Sequence, residues 1–162
     1  MRILILGIGN RLRGDDAVGP LVIDMLRGEQ SESTAAMSDQ NLPAGVVVRT
    51  ERADAALLLD AWKDFDCVIL IDAVYSGKQT GEIIRLRPLE QPLPIEMHNT
   101  SSHGLGLAEA IELGRAFGEL PPQMMLYGIE GRNFDTGASP SAAVRAAAHT
   151  VSAEIRTYIR TL

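Results

Sequence analysis

The chain has 162 residues, with 15 Lys and Arg against 21 Asp and Glu for a net charge of −6, one cysteine and 4% aromatic residues. This length suits one domain around one sizeable core, and the lone Cys67 excludes an internal disulfide or a cysteine cage for zinc or iron–sulfur, which points to a reducing compartment. The acidic balance and the absence of any basic run argue against a nucleic-acid or anionic-membrane surface, and no stretch approaches bilayer-crossing length; a soluble, cytoplasmic protein is expected.

Ile3 to Ile8 is a continuous apolar run ending at Gly7-Ile8-Gly9-Asn10, as expected of a strand buried on both faces. It is too short for a signal-peptide core and leads into Arg11-Leu12-Arg13-Gly14-Asp15-Asp16 rather than a small-residue cleavage site. Ala17, Val18, Leu21, Val22, Met25 and Leu26 then recur at helical spacing. Residues 28 to 43 are polar and unperiodic, which predicts a surface loop, and Val46 to Val48 gives a short second strand.

A helix is predicted from Ala53 to Trp62, followed by a second fully apolar strand from Cys67 to Ile71, with Asp72 at its end. Residues Gly81 to Arg87 alternate polar and apolar, as in an edge strand with one wet face. Ser101 or Ser102 can cap a helix from about His103 to Phe117; Met124 to Ile129 reads as a strand, and Ser139 or Ser141 opens a final helix with Pro140 near its first turn. Strands alternating with helices predict an α/β fold, a single domain over residues 1–162 with an open, twisted, mostly parallel sheet and helices on both faces. Ligands of such sheets bind at the carboxyl ends of the strands, where strand order reverses.

Gly7-Ile8-Gly9 after the first strand invites a dinucleotide-binding reading, but position 12, where the third glycine would fall, is Leu12. Gly77-Lys78-Gln79 lacks the other elements of a phosphate loop. Gly14-Asp15-Asp16 at a helix entry can supply an N-cap, and one of its carboxylates can instead face the crevice above the sheet. Asp60 shares an i, i+3, i+4, i+7 stripe with Ala53, Ala56 and Leu57, so it falls on an apolar face unless Leu58 and Leu59 turn another face inward. His149 lies in an alanine-rich helix and reads as a surface residue. His98 and His103 flank the entry to the third predicted helix, where the dipole favours neutral imidazole. Asp16, Asp60 and His103 together offer an O,O,N set suited to a divalent transition metal, zinc or nickel. No G-x-S-x-G is present, and Cys67 lies in a strand, so no activated nucleophile accompanies the set.

The run Gly7-Ile8-Gly9-Asn10-Arg11-Leu12-Arg13-Gly14-Asp15-Asp16-Ala17-Val18-Gly19 resembles the N-terminal motif of the hydrogenase maturation endopeptidases, which process the large subunit of nickel–iron hydrogenases. Ile71-Asp72-Ala73, Ser101 to Leu107, Tyr127-Gly128-Ile129-Glu130 and Gly137-Ala138-Ser139-Pro140 resemble further motifs of that family, and Asp60 falls where an acid is expected after the second strand. The resemblance implies a sheet of about five strands, a metal-binding set of Asp16, Asp60 and His103, and removal of a C-terminal extension from the large-subunit precursor after nickel insertion. It also implies that the nickel is carried by the substrate rather than held in the resting protein. Where family members carry Asp-Gly-Gly-Thr after the second strand, this chain has Arg49-Thr50-Glu51-Arg52, a change that bears on which precursor fits. Two other classes stay open at this point: a non-proteolytic nickel-binding maturation accessory, and a nucleotide-binding enzyme using the glycine turn.

Overall fold

A computed structural model describes residues 1–28, 42–94 and 106–162. Five strands, β1 (Ile3–Ile8), β2 (Val46–Glu51), β3 (Cys67–Val74), β4 (Ile83–Leu86) and β5 (Gln123–Glu130), form one sheet in the order β2-β1-β3-β5-β4. β4 is antiparallel to β5, and the other pairings are parallel. The helices are α1 (Val18–Arg27), entered through a 3-10 turn at Gly14–Ala17, α2 (Ala55–Trp62), α3 (Leu107–Phe117) and α4 (Ala142–Ile159). Among the described residues no helix is long and apolar enough to cross a membrane.

The apolar run of β1 is continuous because each face of the sheet carries its own helical layer. Ile3 and Ile5 join α1 and α4 in one core, with Ile69 and Ile71 from β3. Leu4, Leu6 and Ile8 point the other way, joining Leu58 and Trp62 of α2 and Ile111 of α3. Strand periodicity of two divides the same run between two cores.

Several element ends differ from the sequence reading. β3 continues to Val74, so Asp72 lies inside the strand rather than at its end. α2 starts at Ala55 because the Asp54 side chain accepts the Leu57 N–H at 3.0 Å, an N-cap that fixes the first turn. α3 starts at Leu107, where the Glu109 carboxylate accepts the Gly106 N–H at 2.8 Å; the predicted caps Ser101 and Ser102 lie outside the described residues, as does most of the predicted loop over 28 to 43. Ser141 caps α4 through the Val144 N–H, which leaves Pro140 one residue before the cap. His149 is exposed and Cys67 is buried, as read.

Strand order fixes where a ligand belongs. From β1 the chain goes to β2 on one side and then to β3 on the other, so the reversal lies between β1 and β3. The crevice beyond their carboxyl ends is the natural binding place.

Candidate functional site at the carboxyl ends of β1 and β3

The turn after β1 is built by glycine. Gly9 has φ +134°, and a Cβ there would lie 2.0 Å from the Asp16 carbonyl oxygen, so only glycine lets the turn fold down on the Gly14–Ala17 segment. Gly7 and Gly19 permit a second close approach, since a Cβ on Gly19 would meet the Ile8 carbonyl oxygen at 2.3 Å. The Gly-x-Gly signal is therefore packing between β1, the turn and α1. It does not form a phosphate cradle: the Asn10 N–H at the turn is spent on a carboxylate, Asp16 Oδ2, at 2.8 Å.

Asp16 and Asp72 meet in the crevice. Asp16 is half-buried, and burial raises its pKa, with the Asn10 N–H and the Arg13 charge only partly offsetting this. Asp72 stands one residue beyond the Gly7–Ile71 pair of the β1–β3 ladder and is 7% exposed. Burial and then the nearby charge of Asp16 hold its carboxyl well above the ordinary carboxylate range, against a small opposing effect of the Ala73 N–H. Two desolvated carboxyls, with the charge of Asp16 acting on Asp72, make a place that favours an added cation.

Asp15, adjacent in sequence, does something else. It is fully buried; Oδ2 accepts the N–H groups of Arg132 and Asn133 at 2.8 and 3.0 Å, and Oδ1 accepts that of Ser141 at 2.7 Å. Burial alone would raise its pKa, but these hydrogen bonds outweigh it and the value is lowered. Asp15 thus ties the segment after β5 and the start of α4 to the turn that carries Asp16. Neither acid caps a helix with its side chain, so the N-cap reading of Gly14-Asp15-Asp16 is replaced by a tether and a crevice carboxylate.

Asp60 does not join the pair. α2 buries Ala55, Leu58 and Trp62, an i, i+3, i+7 face, and leaves Ala56, Leu57 and Asp60 exposed. The helix also carries the chain from the carboxyl end of β2 back toward the start of β3, so Asp60, near its end, is directed away from the crevice. Of the two faces the sequence left open for α2, the structure turns the one carrying Asp60 outward, and Asp72 is the acid on which the Asp16 charge acts. A polar residue interrupting the apolar run of a central strand at its carboxyl end was the available signal. His103 lies outside the described residues; α3, four residues further on, starts at Leu107 and leads toward the amino end of β5, which places its own start toward the crevice end of the sheet. Among the described residues no group of three His, Cys, Asp or Glu side chains forms a complete metal cage.

A family model for hydrogenase maturation protease matches residues 53–157. The hydrogenase 2 maturation protease of Escherichia coli K12 is 32% identical over 130 residues, covering 80% of this chain and 73% of that protein. The hydrogenase expression/formation protein HoxM of Azotobacter vinelandii is 28% identical over 145 residues, which span 89% of this chain and 65% of the relative. Among solved structures, the hydrogenase maturating endopeptidase HybD from E. coli superposes with a TM-score of 0.78 at 28% identity, covering 99% of this chain and 93% of its own. The nickel–iron hydrogenase maturation protease HycI from Thermococcus kodakarensis KOD1 gives 0.66 at 27% identity, covering 98% and 92%. On this matched sequence and shared fold, the chain belongs to the hydrogenase maturation protease family.

Proposed function

We propose that this protein is the endopeptidase that removes the C-terminal extension of a nickel–iron hydrogenase large-subunit precursor after nickel insertion, and that it recognises the nickel already held by that substrate. The observation that carries the reading is the Asp16–Asp72 pair, two desolvated carboxyls with the Asp16 charge acting on Asp72, a setting that a divalent cation relieves. Asp16 is oriented by the Asn10 N–H on Oδ2, which leaves Oδ1 for the incoming cation. His103 is proposed as the nitrogen donor of the set, completing an O,O,N half-site suited to nickel. The substrate's nickel supplies Lewis acidity beside the scissile peptide.

The residues of this chain do the positioning. Asp72, fixed in the β3–β5 ladder opposite Gly128, and Asp16, fixed by the Gly9 turn, dock the substrate's metal site at one point and so align the adjoining peptide bond. Water is the proposed attacking group, because the one cysteine is buried at the start of β3 and burial pushes its thiol pKa up.

The test is incubation of the purified protein with nickel-loaded precursor, followed by mass measurement of the large subunit. The shortened subunit is expected with nickel-loaded precursor and the intact one with nickel-free precursor. Equal cleavage of both would overturn the recognition of nickel; binding without cleavage would favour a non-proteolytic accessory.

A further inference from the structure

Beyond the carboxyl ends of β3 and β5 lies an open cavity of about 480 Å³, lined by Tyr75, Lys78, Thr80, Glu130 and Arg132 among others. Its floor is preorganised by Glu130, which is 1% exposed. Glu130 Oε1 accepts the N–H groups of Ser76, Gly77 and Lys78 at 2.8, 2.9 and 3.2 Å, and Oε2 accepts the Ser76 hydroxyl at 2.7 Å. Four donors compensate this carboxylate, so it fixes the loop and offers little repulsion to an anion above it.

The groups left to meet a ligand are cationic and aromatic. The Arg132 backbone is pinned by Asp15, while its side chain is exposed and has no ion pair or hydrogen bond among the described residues. Lys78 Nζ stands 3.7 Å from Glu82 in a half-exposed pair of the kind that gives way easily to a better partner. Tyr75 is 63% exposed, yet its ring is held edge-on to Phe134 with centroids 6.1 Å apart. An exposed tyrosine lining the same cavity as an arginine whose side chain has no partner among the described residues has the composition of an interface anchor. It stands out on a chain whose net charge is −6.

Short stretches of chain link the cavity lining to the carboxylate turn and strand. Tyr75 is three residues beyond Asp72 on the same chain, and Gly131 packs so closely on Asp15 that a Cβ there would lie 2.9 Å from the Asp15 Cβ. An extended peptide at ~3.3 Å per residue crosses from Asp72 to Tyr75 in about three residues. We propose that this cavity seats an acidic stretch of the protein substrate close to the cleaved bond, with Arg132 as the principal charge, Lys78 as the second and Tyr75 as the packing surface. The identity of the substrate rests on the protease reading above; charge complementarity is what selects an acidic segment over a basic one.

The experiment measures binding of the precursor to immobilised wild-type protein and to Arg132→Glu, Arg132→Lys and the double variant Lys78→Glu/Arg132→Glu, at low and at physiological salt, with cleavage kinetics in parallel. Arg132→Glu is expected to weaken binding about 10-fold and the double variant further, with Arg132→Lys close to wild type. In cleavage, Arg132→Glu raises KM and leaves kcat within about twofold. Added salt weakens wild-type binding more than that of the charge-reversed variants. Binding of Arg132→Glu within twofold of wild type, a fall in kcat at unchanged KM, or no detectable precursor binding by wild type overturns the proposal. A wild type that binds in the predicted charge-dependent way but never cleaves sinks the protease reading and leaves the acidic-segment site standing.

Discussion

Replacing Asp15 with alanine removes the acceptor of three backbone N–H groups, from Arg132, Asn133 and Ser141, that join the turn before α1 to the chain between β5 and α4. Hydrogen bonds to a charged acceptor are each worth about 1.5–3 kcal/mol. Arg132 and Asn133 are exposed residues whose N–H groups water can reach after the change, and deletion of the buried carboxylate returns its desolvation cost. A net loss of about 2–4 kcal/mol follows, or roughly 5–15 °C in Tm for a chain of this size. Trp62, the single tryptophan and fully buried, reports unfolding by fluorescence in urea. Because the folded-state pKa of Asp15 is lowered, its contribution is complete above the ordinary value of 3.8 and is lost as pH falls through the lower folded value. The gap between wild type and Asp15→Ala is therefore full at pH 7 and shrinks in strong acid. A loss below about 0.5 kcal/mol at pH 7, or a gap that widens toward acid, would refute the tether.

Asp72→Asn should stabilise the isolated protein at neutral pH by about 1 kcal/mol or more while abolishing cleavage, because it removes a buried like-charge neighbour of Asp16. The sign follows from its raised pKa: the favourable state of Asp72 is complete below the ordinary carboxylate value and is lost as pH rises through the folded value, so urea titrations should show the variant's advantage absent in acid and growing as pH rises above the ordinary carboxylate value. Gly9→Ala puts a Cβ 2.0 Å from the Asp16 carbonyl at φ +134°, and thermal melts should register a loss of about 3 kcal/mol or more together with lost cleavage.

The sequence carried the fold further than the site. The unbroken apolar runs of β1 and β3 signalled strands covered on both faces, and two helical layers cover them. α2 shows where pattern stops: with Leu57, Leu58 and Leu59 in a row, either of two faces can be apolar, and the choice of Leu58 and Trp62 is made by α3 and the sheet. That choice turned Asp60 outward. Asp72 is visible in the sequence as the polar end of an apolar strand; two more strand residues follow it, and its relation to Asp16 emerges only once β1 and β3 are paired. A division of work between Asp15 and Asp16, with Asp16 at the crevice, is legible in the sequence; the tether made by Asp15 is not, because its partners stand 117 to 126 positions away and only the closed fold brings them together.

The most direct measurement of the central claim is cleavage of nickel-loaded precursor by wild type, Asp16→Asn, Asp72→Asn and Asp60→Asn side by side. The account predicts loss of the shortened subunit with the two crevice variants and wild-type cleavage with Asp60→Asn. Cleavage that survives in both Asp16→Asn and Asp72→Asn, or that disappears only in Asp60→Asn, would contradict it.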